Sequence, residues 1–454
     1  MMTMDLSDKD ELGRACQRIC GILGVQVQPG VLEAYLRGQD RALISYEKLE
    51  QSPTTIPAVI KYVLAAESYR RQPAVECYYD IFRCARMVPL LLFLDRASRI
   101  VKQKVAHADD RLVRLGRETK LDAFDAALFE IVTAARYAEC PEVTEVAFIP
   151  ETHQQQPDLR VTTPNGVLYV ECKRFDRSSN AAIDLRFTAR QKAQAILACL
   201  QHVAISAVVE VVFKVNPADI TNEEIVYAAG VAIRTGAPYE TDKFHIDHRR
   251  LVCGPLEDYM LFPSALYFAN RYGFSTDGDW HGLVPNLYAK YAGPSFLDDV
   301  QWEAAVKWKV TDNRLLWQQK RLGYSLLFKG LDQLAAPHDS AETVLHVCFE
   351  RDNPLGPRRD ELLHFLETLR KNSDKHTFGW TIFNELVINM SPAGRFDFVE
   401  HAHAIAGPKR MSSRPHVATV FVPESAIRSS VGAFGVGVEM PPVDVDPAIH
   451  EQED

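Results

Sequence analysis

Residues 156–174 read QPDLRVTTPNGVLYVECKR. Two runs rich in β-branched and apolar residues flank Pro164-Asn165-Gly166, so the stretch is predicted to form a β-hairpin. With Asn165-Gly166 at the centre of a two-residue type I′ turn, Pro164 pairs with Val167, Asp158 faces Lys173 and Arg160 faces Glu171. Side chains alternate across a strand. Asp158, Arg160, Glu171 and Lys173 therefore share one face, and Leu159, Val161, Leu168, Val170 and Cys172 share the other. A three-residue turn would break this parity, and the apolar alternation supports two residues. Asp158 and Glu171 are then diagonal neighbours, about 7–8 Å apart.

Two carboxylates held this close repel unless a cation lies between them. Oxygen ligands with open positions suit Mg²⁺ or Mn²⁺. Such an ion polarises a phosphoryl oxygen and acidifies a bound water. Lys173 stands where an ammonium can orient that water and offset charge growing on a phosphate. Glu171 and Lys173 also interrupt an apolar strand, where an unpaired charge is costly. The plain alternative is a salt bridge within the sheet, which satisfies the same residues without a metal.

Upstream, Leu121–Tyr137 has the periodicity of a helix, with Asp122 as N-cap and Phe124, Leu128, Ile131, Val132 and Ala135 as its apolar stripe. Glu130 sits among Ala126, Ala127, Thr133 and Ala134, small enough to let its carboxylate approach a strand. It reads as a further metal ligand, as a partner of one, or as a solvated glutamate. Downstream, Asp184–Gln201 reads as a helix and Ala207–Val215 as a central strand.

Helix glutamate, strand, Pro-Asp, hairpin, Glu-x-Lys, helix, strand: this order resembles the PD-(D/E)xK nuclease superfamily. The matching residues are Glu130, Pro157, Asp158, Glu171 and Lys173, within about residues 120–215. The resemblance implies an α/β (α+β) fold, with a mixed central sheet flanked by helices as in restriction endonucleases. It implies an Mg²⁺-dependent endonuclease, in which Asp158 and Glu171 hold metal and Lys173 assists the attacking water. The helix after Glu-x-Lys often supplies a Gln or basic residue in that family; Arg190, Gln191 and Gln194 all qualify. DNA is favoured over RNA as substrate, and restriction or defence against foreign DNA is the implied role. The alternative is a catalytically silent nucleic-acid-binding or scaffold subunit, against which the intact Asp158, Glu171 and Lys173 argue.

The remaining chain divides into a helical region (1–118) that regulates, dimerises or binds a partner, the core (119–216), an α/β extension or insertion (217–437) that can complete the core sheet, and an acidic, proline-rich tail (438–454) expected to be disordered. Leu90–Leu115 reads as one long helix whose Arg96, Arg99, Lys102, Lys104, Arg111 and Arg114 form a solvated face rather than a nucleic-acid contact. Val417–Val422 reads as a last strand. The formal net charge of −9 removes any general attraction to nucleic acid, so phosphate contacts fall to local residues: Arg160, Arg174, Arg190 and Gln194. Trp302, Trp308 and Trp317, interleaved with Lys307 and Lys309, read as core before base-stacking groups. The nine scattered cysteines read as reduced thiols of a cytoplasmic protein. The polar opening residues lack the look of a signal peptide, and the longest apolar run, Val88–Leu94, is far short of a membrane span. His401-x-His403 and His245-x-Asp247-His248 lack a second cluster and read as loop histidines.

Overall fold

A computed structural model describes residues 9–39, 56–71, 81–150, 156–175, 180–261, 267–274, 280–291, 296–335, 341–350, 378–390, 396–407 and 415–421, with positions 361, 364, 367 and 412. The acidic tail lies entirely outside these residues. Residues 417–421 form bends rather than the expected strand. No described helix is long and apolar enough to cross a membrane.

The helices come first: α1 (Lys9–Leu23), α2 (Pro29–Leu36), α3 (Ala58–Arg70), α4 (Ile81–Lys104), α5 (Ala108–Arg117) and α6 (Leu121–Ala138). The expected helix 90–115 is two. Val105–Ala106 (β1) leaves the helix to pair in parallel with Val146–Ala147 of β2 (Glu145–Phe148), and His107 restarts the chain at φ 60. α6 is capped from Lys120, so Asp122 lies in its first turn, where it still favours the helix dipole.

These helices do not form a separate body. The hairpin strands β3 (Leu159–Thr163) and β4 (Gly166–Arg174) turn Leu159, Val161, Leu168, Val170 and Cys172 into the same core as Leu12, Tyr62, Leu91 and Phe129. β4 then pairs in parallel with β11 (Glu342–Glu350), which pairs with β12 (Trp380–Met390), which pairs in turn with β13 (Phe396–Ala406). Among the described residues the sheet order is β1-β2-β3-β4-β11-β12-β13, mixed in direction. A helix before β11, α9 (Asn313–Ala335), makes the crossover and covers the second face with Leu327, Leu331 and Leu334 against Leu345 and Val347.

Between β4 and α9 the chain builds a second sheet. It contains β5 (Ala207–Phe213), β6 (Tyr239–Glu240), β7 (Phe244–Arg250), β8 (Gly254–Leu261), β9 (Gly282–Tyr291) and β10 (Phe296–Val310). α7 (Asn180–His202) and α8 (Asn222–Thr235) pack on it. The expected core 119–216 is thus revised: its last helix and strand belong to this second sheet, and the strands that complete the first sheet come from the C-terminal part. Trp302 and Trp308 are buried in the second sheet's core, and the histidine clusters lie on β7 and β13, not in loops. Cys16, Cys20, Cys140, Cys172, Cys199, Cys253 and Cys348 are free thiols.

Two polar groups are built into the first core. Arg86 on α4, Asp125 on α6, Arg174 on β4 and Glu350 on β11 form one buried ion cluster: Arg86 donates to Asp125 and Glu350, and Arg174 donates to Glu350 and lies 3.6 Å from Asp125. The Tyr62 hydroxyl donates to Asp125. The second group is a chain of hydrogen bonds. Asn384 donates its amide to Glu400 and the Ala418 carbonyl, so its Oδ1 accepts from His346 Nδ1 (3.1 Å) and His346 Nε2 accepts from the Tyr137 hydroxyl (3.1 Å). The imidazole is thereby neutral, and burial pulls its pKa down to about 4. An unfolded histidine titrates near 6.5, so stability is full above that pH and falls as the pH drops toward 4, by about 3 kcal/mol. Urea unfolding at pH 7 and pH 5 will show about 2 kcal/mol of this loss, since pH 5 lies about 1.5 units below the unfolded value. Equal slopes in the wild type and His346→Gln would remove His346 as its source.

Close backbone approach fixes the far edge of the sheet. A Cβ on Gly407 would run into the Phe378 carbonyl oxygen, and the Gly407 amide donates to the Gly379 carbonyl at 2.7 Å. Gly407→Ala must push the β12 and β13 ends apart, and is expected to lower the unfolding free energy by about 1–3 kcal/mol. A chemical melt indistinguishable from wild type would contradict the packing described.

Candidate functional site

The hairpin turn is one pair shifted from the predicted one. Thr163 pairs with Gly166, leaving Pro164-Asn165 as the two loop residues, and Leu159 pairs with Val170. The predicted closing pair would need Pro164 to donate an N–H that proline lacks, and Gly166, now the closing residue, takes φ 138. The shift moves the register by two, which leaves every side chain on its expected face. It does change the partners. Asp158 now lies across from Glu171 rather than Lys173, so the two carboxylates are more directly opposed than expected. The Asp158 backbone donates to the Val170 carbonyl (3.1 Å), and its Oδ2 accepts from the Cys172 amide (2.9 Å).

Glu171 is fully buried. Its Oε1 accepts from the Lys173 ammonium, and its Oε2 has no hydrogen-bond partner. Burial, then repulsion from Asp158, pushes its pKa well above the carboxylate range, with Lys173 opposing. At Lys173, burial works against the charge, but Glu171 and Asp158 outweigh it and raise the pKa above the ordinary lysine value. Lys173 is therefore a fixed cation. Its stem lies under α9, where a Cβ on Gly330 would come within 3.2 Å of the Lys173 Cγ. Glycine at that point lets the helix press on the lysine and limits its motion.

Glu130 arrives on α6. Its Oε2 accepts from Arg111 Nη1 at 3.1 Å. Burial, then Asp158, pushes its pKa up to about 8, against Arg111, Arg114 and Lys173. It is near the other acids but is held by arginine. Among the described residues no group of three or more His, Cys, Asp and Glu side chains is arranged to hold a metal ion. The acids present fit a divalent ion held by two carboxylates, with Glu171 Oε2 as an unspent donor and water in the remaining positions. They do not form the three-carboxylate cage that Glu130, Asp158 and Glu171 were expected to make.

The expected nucleic-acid contacts fare differently. Arg160 is exposed on the Asp158 face and pairs with Glu145 at 3.2 Å. Arg174 points to the opposite face and is consumed in the buried ion cluster, so it offers nothing to a phosphate. The alternation that placed Cys172 in the core already implied this. Arg190 and Gln194 are exposed on α7, and Gln191 shares that helix, which packs on the second sheet and not on β4. The helix in their stead is α9, whose Gln333 Nε2 donates to the Gln156 carbonyl (3.0 Å), next to Pro157-Asp158. Sequence reading also passed over Arg111, taken as one of a solvated row. Only the break at Val105–His107 turns it inward.

Comparison of the chain with protein-family models, with curated proteins and with solved structures finds no match.

Proposed function

We propose that this chain is a metal-dependent nuclease that hydrolyses phosphodiester bonds, DNA before RNA, with Asp158, Glu171 and Lys173 as its working residues. One observation carries the reading: a fully buried glutamate with an unpartnered oxygen, set across a hairpin from an aspartate and against a lysine. A sheet that needed only a salt bridge would satisfy both oxygens, since an orphaned buried acceptor costs about 1–3 kcal/mol. The helix–strand–hairpin–helix–strand order supports it further, once α9 and β11 stand where α7 and β5 were expected.

Asp158 and Glu171 would hold an Mg²⁺ or Mn²⁺ ion, which when bound polarises a phosphoryl oxygen and acidifies a water. The chain's own residues do the rest. Asp158 is fixed by the Cys172 amide, so its free geometry is set before substrate arrives. Lys173 keeps its proton. It orients the attacking water through a hydrogen bond and balances charge growing on the phosphate, rather than removing a proton. The α9 cover excludes bulk water from the lysine stem.

The alternative, a non-cutting nucleic-acid-binding or scaffold subunit, has one observation in its favour: Arg111 occupies Glu130 where an active centre would use every acid. Plasmid DNA and RNA incubated with the full chain in Mg²⁺, Mn²⁺ or EDTA decide between them. The nuclease reading expects metal-dependent cleavage that Asp158→Asn removes. Cleavage surviving that substitution would sink the site, and no cleavage of either substrate would leave the scaffold.

A further inference from the structure

The site is acidic and the chain carries a net charge of −9, so a phosphate chain needs fixed cations beside Asp158, Glu171 and Glu130. The expected ones are elsewhere or engaged: Arg160 pairs with Glu145, Arg174 is buried with Glu350, and Arg190 lies on α7. The basic row that read as a solvated face is split at residues 105–107. Before the split, Arg96 pairs with Glu139 (2.8 Å) and Arg99 with Asp95 (3.3 Å). After it, the row comes to the acids. β1 runs parallel to β2, so the chain leaves β1 at the Phe148 end, where the Ile149 amide donates to the Asp158 carbonyl (3.0 Å). α5 starts there, and Arg111 closes the link: Nη1 donates to Glu130 (3.1 Å) and Nη2 to the Ile149 carbonyl (3.3 Å).

Residues three apart on a helix are surface neighbours, with about 5–6 Å between Cβ atoms. Arg114 is therefore next to Arg111, and Arg117 next to Arg114, each a step further from Glu130. Both are exposed, and Leu112, Leu115 and Gly116, buried on the other side, fix the rotation of the helix. Arg114 is close enough to favour the ionised form of Glu130, as Arg111 does. The charge of α5 is sorted along its length, with Asp109 and Asp110 in the first turn and Arg114 and Arg117 in the last. Glu118, just past that end, accepts from the Thr119 and Lys120 amides (2.9 and 2.8 Å). The helix dipole favours this order in any protein; its place beside Glu130 is what fits a polyanion.

We propose that the last turn of α5 is the DNA-backbone contact of this chain: Arg114, and beyond it Arg117, hold the phosphates next to the one being cut. This rests on the nuclease reading above and deepens it by naming the surface that receives the substrate. Arg111 stays with Glu130 and the Ile149 carbonyl. Contacts of this kind hold phosphates and read no bases, so binding is indifferent to sequence and steeply dependent on salt.

The test is binding, with cleavage as a second reading. Fluorescein-labelled duplex DNA of mixed sequence is titrated with the full chain in EDTA, and anisotropy is followed over a range of salt concentrations. Arg114→Ala/Arg117→Ala is expected to weaken binding about 10–100-fold and to flatten the slope of log affinity against log salt by about 2. Arg114→Lys/Arg117→Lys keeps both charges and should stay within about fivefold of the wild type. With Mn²⁺, the alanine variant should need more DNA to saturate, yet cut at the wild-type single-turnover rate once saturated, because neither arginine touches the reacting phosphate. Wild-type affinity and slope in the alanine variant overturn the α5 surface. An equal loss in the lysine variant does so too, by making the effect structural, and both results leave the Asp158–Glu171 site standing. Tighter binding of an RNA duplex of the same length overturns the choice of DNA. Binding that the alanines weaken, in a chain that neither takes up Mn²⁺ nor cuts, overturns the nuclease reading and keeps the α5 surface. A wild type that neither binds nor cuts DNA overturns both.

Discussion

Truncating Glu350 to alanine is expected to lower the unfolding free energy by about 3–5 kcal/mol, a large part of the roughly 5–15 kcal/mol that holds a domain folded. The reason is arithmetic of charge in a place without water. The Arg86, Asp125, Arg174 and Glu350 side chains are each no more than 5 % exposed. Among the described residues two guanidiniums face two carboxylates. Removing Glu350 leaves, of these, Arg86 and Arg174 facing Asp125, and Arg174 Nη1 already lacks a hydrogen-bond partner. The double variant Arg174→Met/Glu350→Leu should recover much of the loss, because Arg86 and Asp125 remain as a neutral pair with the Tyr62 hydroxyl. Arg160→Ala, which breaks an exposed pair with Glu145, should cost under about 1 kcal/mol. Guanidinium melts of the three variants measure all of this. A Glu350→Ala loss no larger than that of Arg160→Ala would mean that water reaches the cluster.

The second large effect concerns rate. Lys173→Ala is expected to lower single-turnover cleavage about 10²–10³-fold, the usual result of removing one preorganised charge from a reacting phosphate or carbonyl. Mn²⁺ binding should survive, since Asp158 and Glu171 remain, whereas Asp158→Ala should lose binding and cleavage together. Stability should change little, because an unpartnered Glu171 can take up a proton in its buried place. Lys173→Arg should not restore the rate, as a planar, forked guanidinium does not reproduce the compact ammonium that bonds Glu171 Oε1. If Lys173→Ala melts early but cuts normally, the lysine is only the salt-bridge partner of Glu171.

The hairpin shows what a sequence can and cannot tell. A period of two specifies the face of Glu171 and Lys173, because a slip of one residue would turn Val170 and Cys172 outward. It is blind to a slip of two. That is why the faces were legible at Asp158, Glu171 and Lys173 while their partners were not; Pro164, with no N–H for a closing pair, moved the turn. The helix–strand pair Asn180–His202 and Ala207–Phe213 has the pattern of a core crossover, yet it builds another sheet. Apolar periodicity shows that a helix has a buried face, not which sheet buries it. Arg111 was hidden for a related reason: its side of a continuous helix 90–115 would be solvent, and the break at residues 105–107 has no Gly or Pro to announce it.

The insertion between β4 and α9 also sets an order of events. Val170 pairs with Val344, so the strand carrying Glu171 waits for nearly the whole inserted sheet before its parallel neighbour exists. During synthesis the N-terminal helices and the hairpin emerge with that edge of β4 unpaired and the Arg174 charge without Glu350. Such long-range parallel pairing is slow, and an open apolar edge invites wrong partners. The same delay leaves a half-made chain without its completed site: until residues 313–350 leave the ribosome, neither α9 over Lys173 nor the strand beside Glu171 is present.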